Sequence, residues 1–408
     1  MRAKTIWRAA LLTVILALAP RAALAQPFSL GYAPADPIVP LPYGSLHPDT
    51  GIYTFLEFLM LRQTNPLQNQ VIMTRGFFDL NTQIPGQGAN HIGSDTDALD
   101  TNQIRGPGAI YQPAFRIGMG YKFNDESSLS LSWLHIFQIR YQAVATAVPA
   151  NFNVGSNALL VDRNGIAPPT FADSFISAPV YNFPNDFAGP PGLQNGPNGV
   201  RAYGVWDAAS LAQISFVQRE EAYDLIWRKP IVEEECYRFS SLVGPRFFWI
   251  WEKFAWRTTN FGFTGAEGPS ALYTNIDSNR MYGWNIGCSQ ECYLGHGFAC
   301  QLDTSFAAFL NVVKERAKYE TGLKFSRAAE NKRARTDYTF VPEVEARLSV
   351  MWYPTENVQL NLGYNFMAFF NTVNAQRPVD FNYSALAPQY DRVWRFFDGW
   401  NVSCAIEF

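Results

Sequence analysis

The sequence predicts an all-β chain: a transmembrane, antiparallel up-and-down β-barrel of about ten strands (10–12), with long extracellular loops and short periplasmic turns. Three observations carry this. Aromatic residues make up 15% and charged residues 16% of the 408 residues, against about 25% charged in soluble domains. Beyond residue 25 no apolar run approaches the roughly 18–20 residues of a membrane helix. The apolar residues instead recur at every second position, the period of a strand with two unlike faces. A barrel spreads its lipid-facing surface over many such strands. A large soluble β-sandwich is the competing architecture.

The N-terminal stretch sets the compartment. Arg2, Lys4 and Arg8 precede the apolar run Ala9 to Ala19, and Ala23-Leu24-Ala25 is an A-x-A site. Residues 1–25 are therefore expected to be a signal peptide cleaved after Ala25. Residues 26–50, rich in Pro, read as a periplasmic lead-in, and 51–408 as an outer-membrane barrel. Removing Arg2, Lys4, Arg8 and Arg21 takes the basic residues from 32 to 28, against 35 acidic ones, a formal charge of −7. That excess argues against a nucleic-acid partner, which favours a basic face.

The strands follow in order. Residues 52–63 set Leu56, Phe58 and Met60 against Glu57. A polar segment, 64–108, separates them from 111–123. There Phe115, Ile117, Met119, Tyr121 and Phe123 alternate with Arg116, Gly118, Gly120 and Lys122. After a turn at 124–126, residues 128–142 place Leu129, Leu131, Trp133, Phe137, Ile139 and Tyr141 opposite Ser128, Ser130, Ser132, Gln138 and Arg140. The gap 143–203 holds eight prolines; a loop that long fits the extracellular side of a barrel. Residues 204–229 change phase between Phe216 and Tyr223, which predicts a β-bulge in that strand.

Residues 236–258 put Tyr237, Phe239, Val243, Phe247, Trp249 and Trp251 outward, with Arg238, Arg246 and Glu252 inward. Pro245 interrupts them, since Pro lacks a ladder donor, and predicts a local bulge. Further strands are read at 279–293, 298–315, 337–353 and 357–371, the last with Asn371 among its inward residues. The closing strand, 393–408, alternates Trp400, Val402, Cys404, Ile406 and Phe408 with polar or small residues. Trp400, Val402, Ile406 and Phe408 look like the signal that barrel-assembly machinery reads, so that machinery and outer-membrane lipid are the expected partners. Ten strands with alternating long and short links put both ends of the barrel on the periplasmic side.

The inward positions supply the candidate site: Glu57, Arg116, Lys122, Arg140, Arg238, Arg246, Glu252, Asp303, Glu343, Glu345 and Arg347. Both signs occur. They either form a salt-bridged filling or line a narrow polar lumen, because eight strands leave an interior just filled and 16–18 an open channel. Arg at Met119 or Leu362 would face lipid and cost more than a change at Gly120 or Asn361. The histidines His47, His91, His135 and His296 have no nucleophile motif beside them, so no enzyme is expected. Five cysteines leave at least one unpaired. A Cys292–Cys300 bridge is an open alternative, and Cys288, Cys292 and Cys300, with His296 in the nearby turn, read as small apolar-face residues rather than a zinc set. No metal and no cofactor are expected.

The stretches Ala114-Phe115-Arg116-Ile117-Gly118-Met119-Gly120-Tyr121 and Leu129-Ser130-Leu131-Ser132-Trp133 resemble the first hairpin of the Legionella-type pore-forming major outer-membrane protein family. Gly244-Pro245-Arg246-Phe247, Phe340-Val341-Pro342-Glu343-Val344-Glu345 and Leu362-Gly363-Tyr364 resemble later strands of such barrels. The resemblance implies an outer-membrane barrel with a porin-like pore for small solutes. It carries over no single site residue. A non-conducting surface scaffold or adhesin is the alternative, and a barrel-borne hydrolase a second one. Oligomeric state is not legible in the sequence.

Overall fold

The structure, a computed structural model, describes residues 51–63, 67–78, 91–104, 111–146, 174–182, 206, 209, 211–234, 236–261, 267–321, 331–355 and 357–408. The expected signal peptide and lead-in lie outside the described residues, as do His47 and most of 143–203. In chain order the strands are β1 (Gly51–Gln63), β2 (Val71–Phe78), β3 (His91–Asp100), β4 (Gln112–Lys122), β5 (Ser128–Thr146), β6 (Ser174–Ser177) and β7 (Leu211–Glu234). Then come β8 (Tyr237–Phe261), β9 (Glu267–Gly295), β10 (Phe298–Thr321), β11 (Asn331–Thr355), β12 (Val358–Arg377) and β13 (Gln389–Glu407).

Ten of them close a barrel in sequence order, β1-β4-β5-β7-β8-β9-β10-β11-β12-β13, with β13 back against β1. Closure runs from Tyr53 opposite Glu407 to Gln63 opposite Phe397, and the Phe408 N–H donates to the Ile52 carbonyl at 2.9 Å. No edge is left, which a membrane requires because lipid offers backbone groups no partner. The strands expected from the alternation are all present. Those from β8 to β12 run further into the long-loop end than expected, whereas β7 starts at Leu211 rather than 204.

The outer face is the apolar band that the alternation predicts. Leu56, Phe58, Ile117, Met119, Leu131, Tyr223, Trp284, Ile286, Leu348, Leu362, Trp400 and Val402 are all exposed. At Met119, Ile286, Leu348 and Leu362 more than half of the side chain lies open, at 56%, 63%, 59% and 56%. Such a surface on every strand is covered by lipid.

The inner face departs from the expected polar lining. A transverse layer of Leu59, Leu61, Ala114, Leu134, Ile136, Ala222, Phe248, Ile250, Met281, Ala307, Phe309, Val341, Met367, Phe369 and Phe397 fills the lumen, with every barrel strand contributing. A second apolar cluster closes the long-loop end. Ile214, Phe216, Phe254, Trp256, Tyr273 and Tyr319 of the wall pack there on Ile72, Met73, Leu99 and Ile176. The latter belong to a small sheet of order β3-β2-β6, built from segments that read as structureless polar loops.

Three local expectations change. The bulge expected in 204–229 lies instead in β5, where Ile136 pairs with Glu220 and Ile139 with Gln218. In β7 the even residues face inward from Ala212 to Arg228, and its own register shift comes only after Pro230. Ile214 and Phe216 are core, while Tyr223, Leu225 and Trp227 are outside. The pattern changed because the lumen turns from polar to apolar, not because the strand turned over. Past the bulge, Tyr141 and Ala143 pack on the inner cluster and Arg140 is exposed. Arg140 is therefore not a lumen residue. In β12 a register shift lies between Phe369 and Thr372. Asn371, at φ 72°, donates its side-chain amide to the Phe340 carbonyl at 2.8 Å, and the buried residues beyond it are Thr372 and Asn374.

Pro245 needs no bulge. Asp224 opposite Arg246 and Trp227 opposite Val243 hold one register across it. A Cβ on neighbouring Gly244 would come 1.8 Å from the Leu225 carbonyl oxygen, so the two backbones meet where the missing donor would have stood. At Gly120 a side chain would require the end of the Tyr53 ring to move aside. The Tyr53 ring lies 2.2 Å from where its Cβ would stand. Cys292 and Cys300 are register partners, and all five thiols are free.

Candidate functional site

The polar groups of the lumen fall into layers set by strand register. At the short-turn end the alternation brings Glu57 of β1 opposite Arg116 of β4, Asp224 of β7 opposite Arg246 of β8, and Arg347 of β11 opposite Asp303 of β10. Arg116 binds Glu57 at 2.9 Å and reaches Glu345 at 3.7 Å. Arg246 binds Asp224 at 3.0 Å, then Glu345 at 2.6 Å and Glu343 at 3.3 Å. Because β8 and β11 are not ladder neighbours, this Arg links two separate parts of the wall. Arg347 completes the set, with Asn365 at 2.8 Å and Glu345 at 3.4 Å. The Asn401 amide donates to Glu57 at 2.7 Å.

These groups border a cavity of about 180 Å³ that Asp224, Arg228, Asp303, Ser305, Glu345 and Arg347 help to line. Nearer the rim, Arg228 binds Glu291 at 2.9 Å, Arg238 binds Glu126 at 2.7 Å, and Lys122 lies 3.7 Å from Glu407. Of the expected residues, Glu57, Arg116, Arg246, Asp303, Glu343, Glu345 and Arg347 thus meet in one network or at its cavity. Lys122 and Arg238 stand at the rim. Glu252 belongs to a different layer.

That layer lies between the transverse apolar layer and the aromatic cluster at the long-loop end. Arg395 grips Glu252 through both carboxylate oxygens, at 2.5 and 2.6 Å. Arg395 also donates to the Thr372 hydroxyl at 3.0 Å and the Val373 carbonyl at 3.1 Å. Gln218 donates to Glu252 at 3.0 Å. Glu220 and Asp277 are buried beside them, and the charge of Arg395 acts on both. Sequence reasoning missed Asp224, Glu220, Asp277, Arg228, Glu291 and Arg395. The first two were legible had β7 been read in one phase. Arg395 was passed over because the apolar run around it hid its inward parity.

Above this layer the lumen is capped. Trp206 packs on Trp256 with ring centroids 4.4 Å apart, and Tyr273 on Tyr319 at 4.6 Å. Tyr273 and Tyr319 donate to the carbonyls of Pro378 and Asp380 at 2.7 and 2.5 Å. His135 is on the outer face among Phe115, Trp133 and Phe137, with Glu221 3.6 Å away.

A closed barrel with an exposed apolar band and an inner polar network defines a transmembrane β-barrel of the outer-membrane kind. Residues 191–391, just under half of the chain, match a protein-family model described as "Putative beta barrel porin-7 (BBP7)", which supports a bacterial β-barrel porin family. Among solved structures the chain is similar to the outer membrane protease OmpT from Escherichia coli, at 7% identity over 88% of this chain and 97% of that one, TM-score 0.39. It is also similar to a FadL homologue of Pseudomonas aeruginosa, at 6% identity, 88% and 90% coverage, TM-score 0.23. A third is an anion-selective porin from Comamonas acidovorans, at 8%, 88% and 99%, TM-score 0.14. No curated protein matches the chain. The fold itself is read from the ladder and the outer band, and these structural similarities add nothing to it.

Proposed function

We propose that the chain is a porin-like pore for small polar solutes, allied to the Legionella-type major outer-membrane proteins and seen here with its lumen closed. The observation that carries this is the cavity of about 180 Å³ at the short-turn end, where Arg and carboxylate side chains from separate strands converge. Paired charges alone would also suit a filled barrel; the open space they border is what favours a pore. Solutes would enter from the periplasmic side as far as the apolar layer, and passage would require that layer to part. No catalytic role belongs to this reading, and assays on lipid and peptide substrates should find no hydrolysis.

The test is conductance of the refolded full chain in planar bilayers. The expected result is discrete steps smaller than those of open 16–18-stranded barrels. Silence at every voltage would end the pore reading. It would favour a non-conducting scaffold, which the unbroken apolar layer supports independently.

A further inference from the structure

We propose that the outer wall of β8–β10 holds a lipid with two phosphate groups, taken from the leaflet at the long-loop end. The site is built by register. Along β9 and β10 the outward side chains are apolar up to Tyr282 and Leu310, exposed by 52% and 57%. The next outward row is Trp249, Arg280 and Val312. After it comes Trp251, Ser278 and Lys314, then Lys253, Ile276 and Arg316. Within three rows the surface passes from hydrocarbon-like to cationic, with tryptophans beside the first two cations. This sequence of chemistries matches the depth profile of a leaflet from acyl chain to headgroup.

Four cations stand in this patch. Lys253 and Arg316 flank Ile276 on either side, two strand spacings apart, about 10 Å. Arg280 and Lys314 are diagonal neighbours on adjacent strands, about 7–8 Å apart. Lys314 and Arg316 are exposed, and Lys253 and Arg280 half-buried. Among the described residues none of the four has an ion-pair partner. The nearby outward carboxylates are already engaged, Glu221 by Arg219 at 2.8 Å and Glu320 by Lys318 at 2.6 Å.

Long cationic side chains at a membrane boundary reach for anionic headgroups. The Arg280/Lys314 pair and the Lys253/Arg316 pair, one to two rows apart, offer two anion positions, more than a single phosphate can touch. On a barrel the long loops face outward, so the lipid is one of the cell-surface leaflet. The chemistry that fits is a bis-phosphorylated glycolipid, its acyl chains against Tyr282, Trp284 and Leu310.

The test uses the full chain refolded in a neutral detergent, with lipid retention read by native mass spectrometry. The probes are bis-phosphorylated lipid A, its monophosphoryl form and phosphatidylglycerol. Wild type should retain one bis-phosphorylated lipid A, several-fold more tightly than either other probe, and the binding should weaken with salt. The variant Lys253→Gln/Arg280→Gln/Lys314→Gln/Arg316→Gln should bind at least about tenfold more weakly. Arg280→Lys/Arg316→Lys should keep most of the affinity, and Lys229→Gln, at the short-turn end, should keep all of it. Heat-modifiable migration checks that each variant is folded. Wild-type affinity in the fourfold variant would overturn the site. Equal binding of the monophosphoryl form or of phosphatidylglycerol would overturn the two-phosphate assignment.

Discussion

Replacing Arg395 should damage the barrel more than replacing the carboxylate it grips. Arg395 is 1% exposed and Glu252 3%, between Ile250 on one side and Phe254 on the other. Arg395→Met leaves Glu252 buried without its cation and removes one donor each from the Thr372 hydroxyl and the Val373 carbonyl, which keep Val393 and Asn279 as partners. It also removes the positive charge acting on Glu220 and Asp277. Breaking a buried pair in this way costs about 3–5 kcal/mol, roughly three decades in the folded-to-unfolded ratio. Glu252→Gln is milder. Arg395 keeps Thr372, Val373 and the field of two other carboxylates, so the loss is that of one charged hydrogen-bonded pair, about 1.5–3 kcal/mol. Urea unfolding of the refolded barrel in detergent micelles, followed by Trp fluorescence, measures both. Equal losses for the two variants, or a loss below about 1 kcal/mol for Arg395→Met, would refute the view of Arg395 as the cation of a shared layer.

Phe248→Ala with Phe369→Ala removes two rings packed 4.6 Å apart in the transverse layer. Variant that refolds should show larger or more frequent conductance steps than wild type, and unchanged steps would mean the layer is not the barrier. On the outer face, Met119→Arg or Leu362→Arg should cost about 2–4 kcal/mol and Asn361→Ser about 1 kcal/mol or less; equal costs would mean the faces were misassigned. Gly244→Ala should cost about 1–3 kcal/mol through the clash with Leu225, and a neutral result in the same unfolding assay would contradict the close approach. Deleting Phe408, which is 76% exposed, should sharply lower the folded protein in the outer membrane while the refolded barrel melts close to wild type. Normal membrane levels would refute its part in assembly.

The sequence alone determined the strand number, the outward face and the closing strand. Lipid imposes one uniform demand along every strand, so Phe115 to Phe123 or Trp400 to Ile406 declare their face without reference to neighbours. The short turns near 125 and 296 were legible for the same local reason. The interior was not, because nothing uniform fills it. An inward Phe248 satisfies the lumen only where Phe369 and Phe397 arrive from distant strands, and an inward Arg395 only where Glu252 meets it. Both pairings follow from barrel closure, which no local period encodes. Arg140 and Asn371 changed sides because one extra residue against a neighbouring strand reverses a face, and that residue is visible only in the ladder. Tertiary structure therefore decided what the lumen is: a polar cavity, an apolar layer, an Arg–Glu layer and an aromatic cap in series.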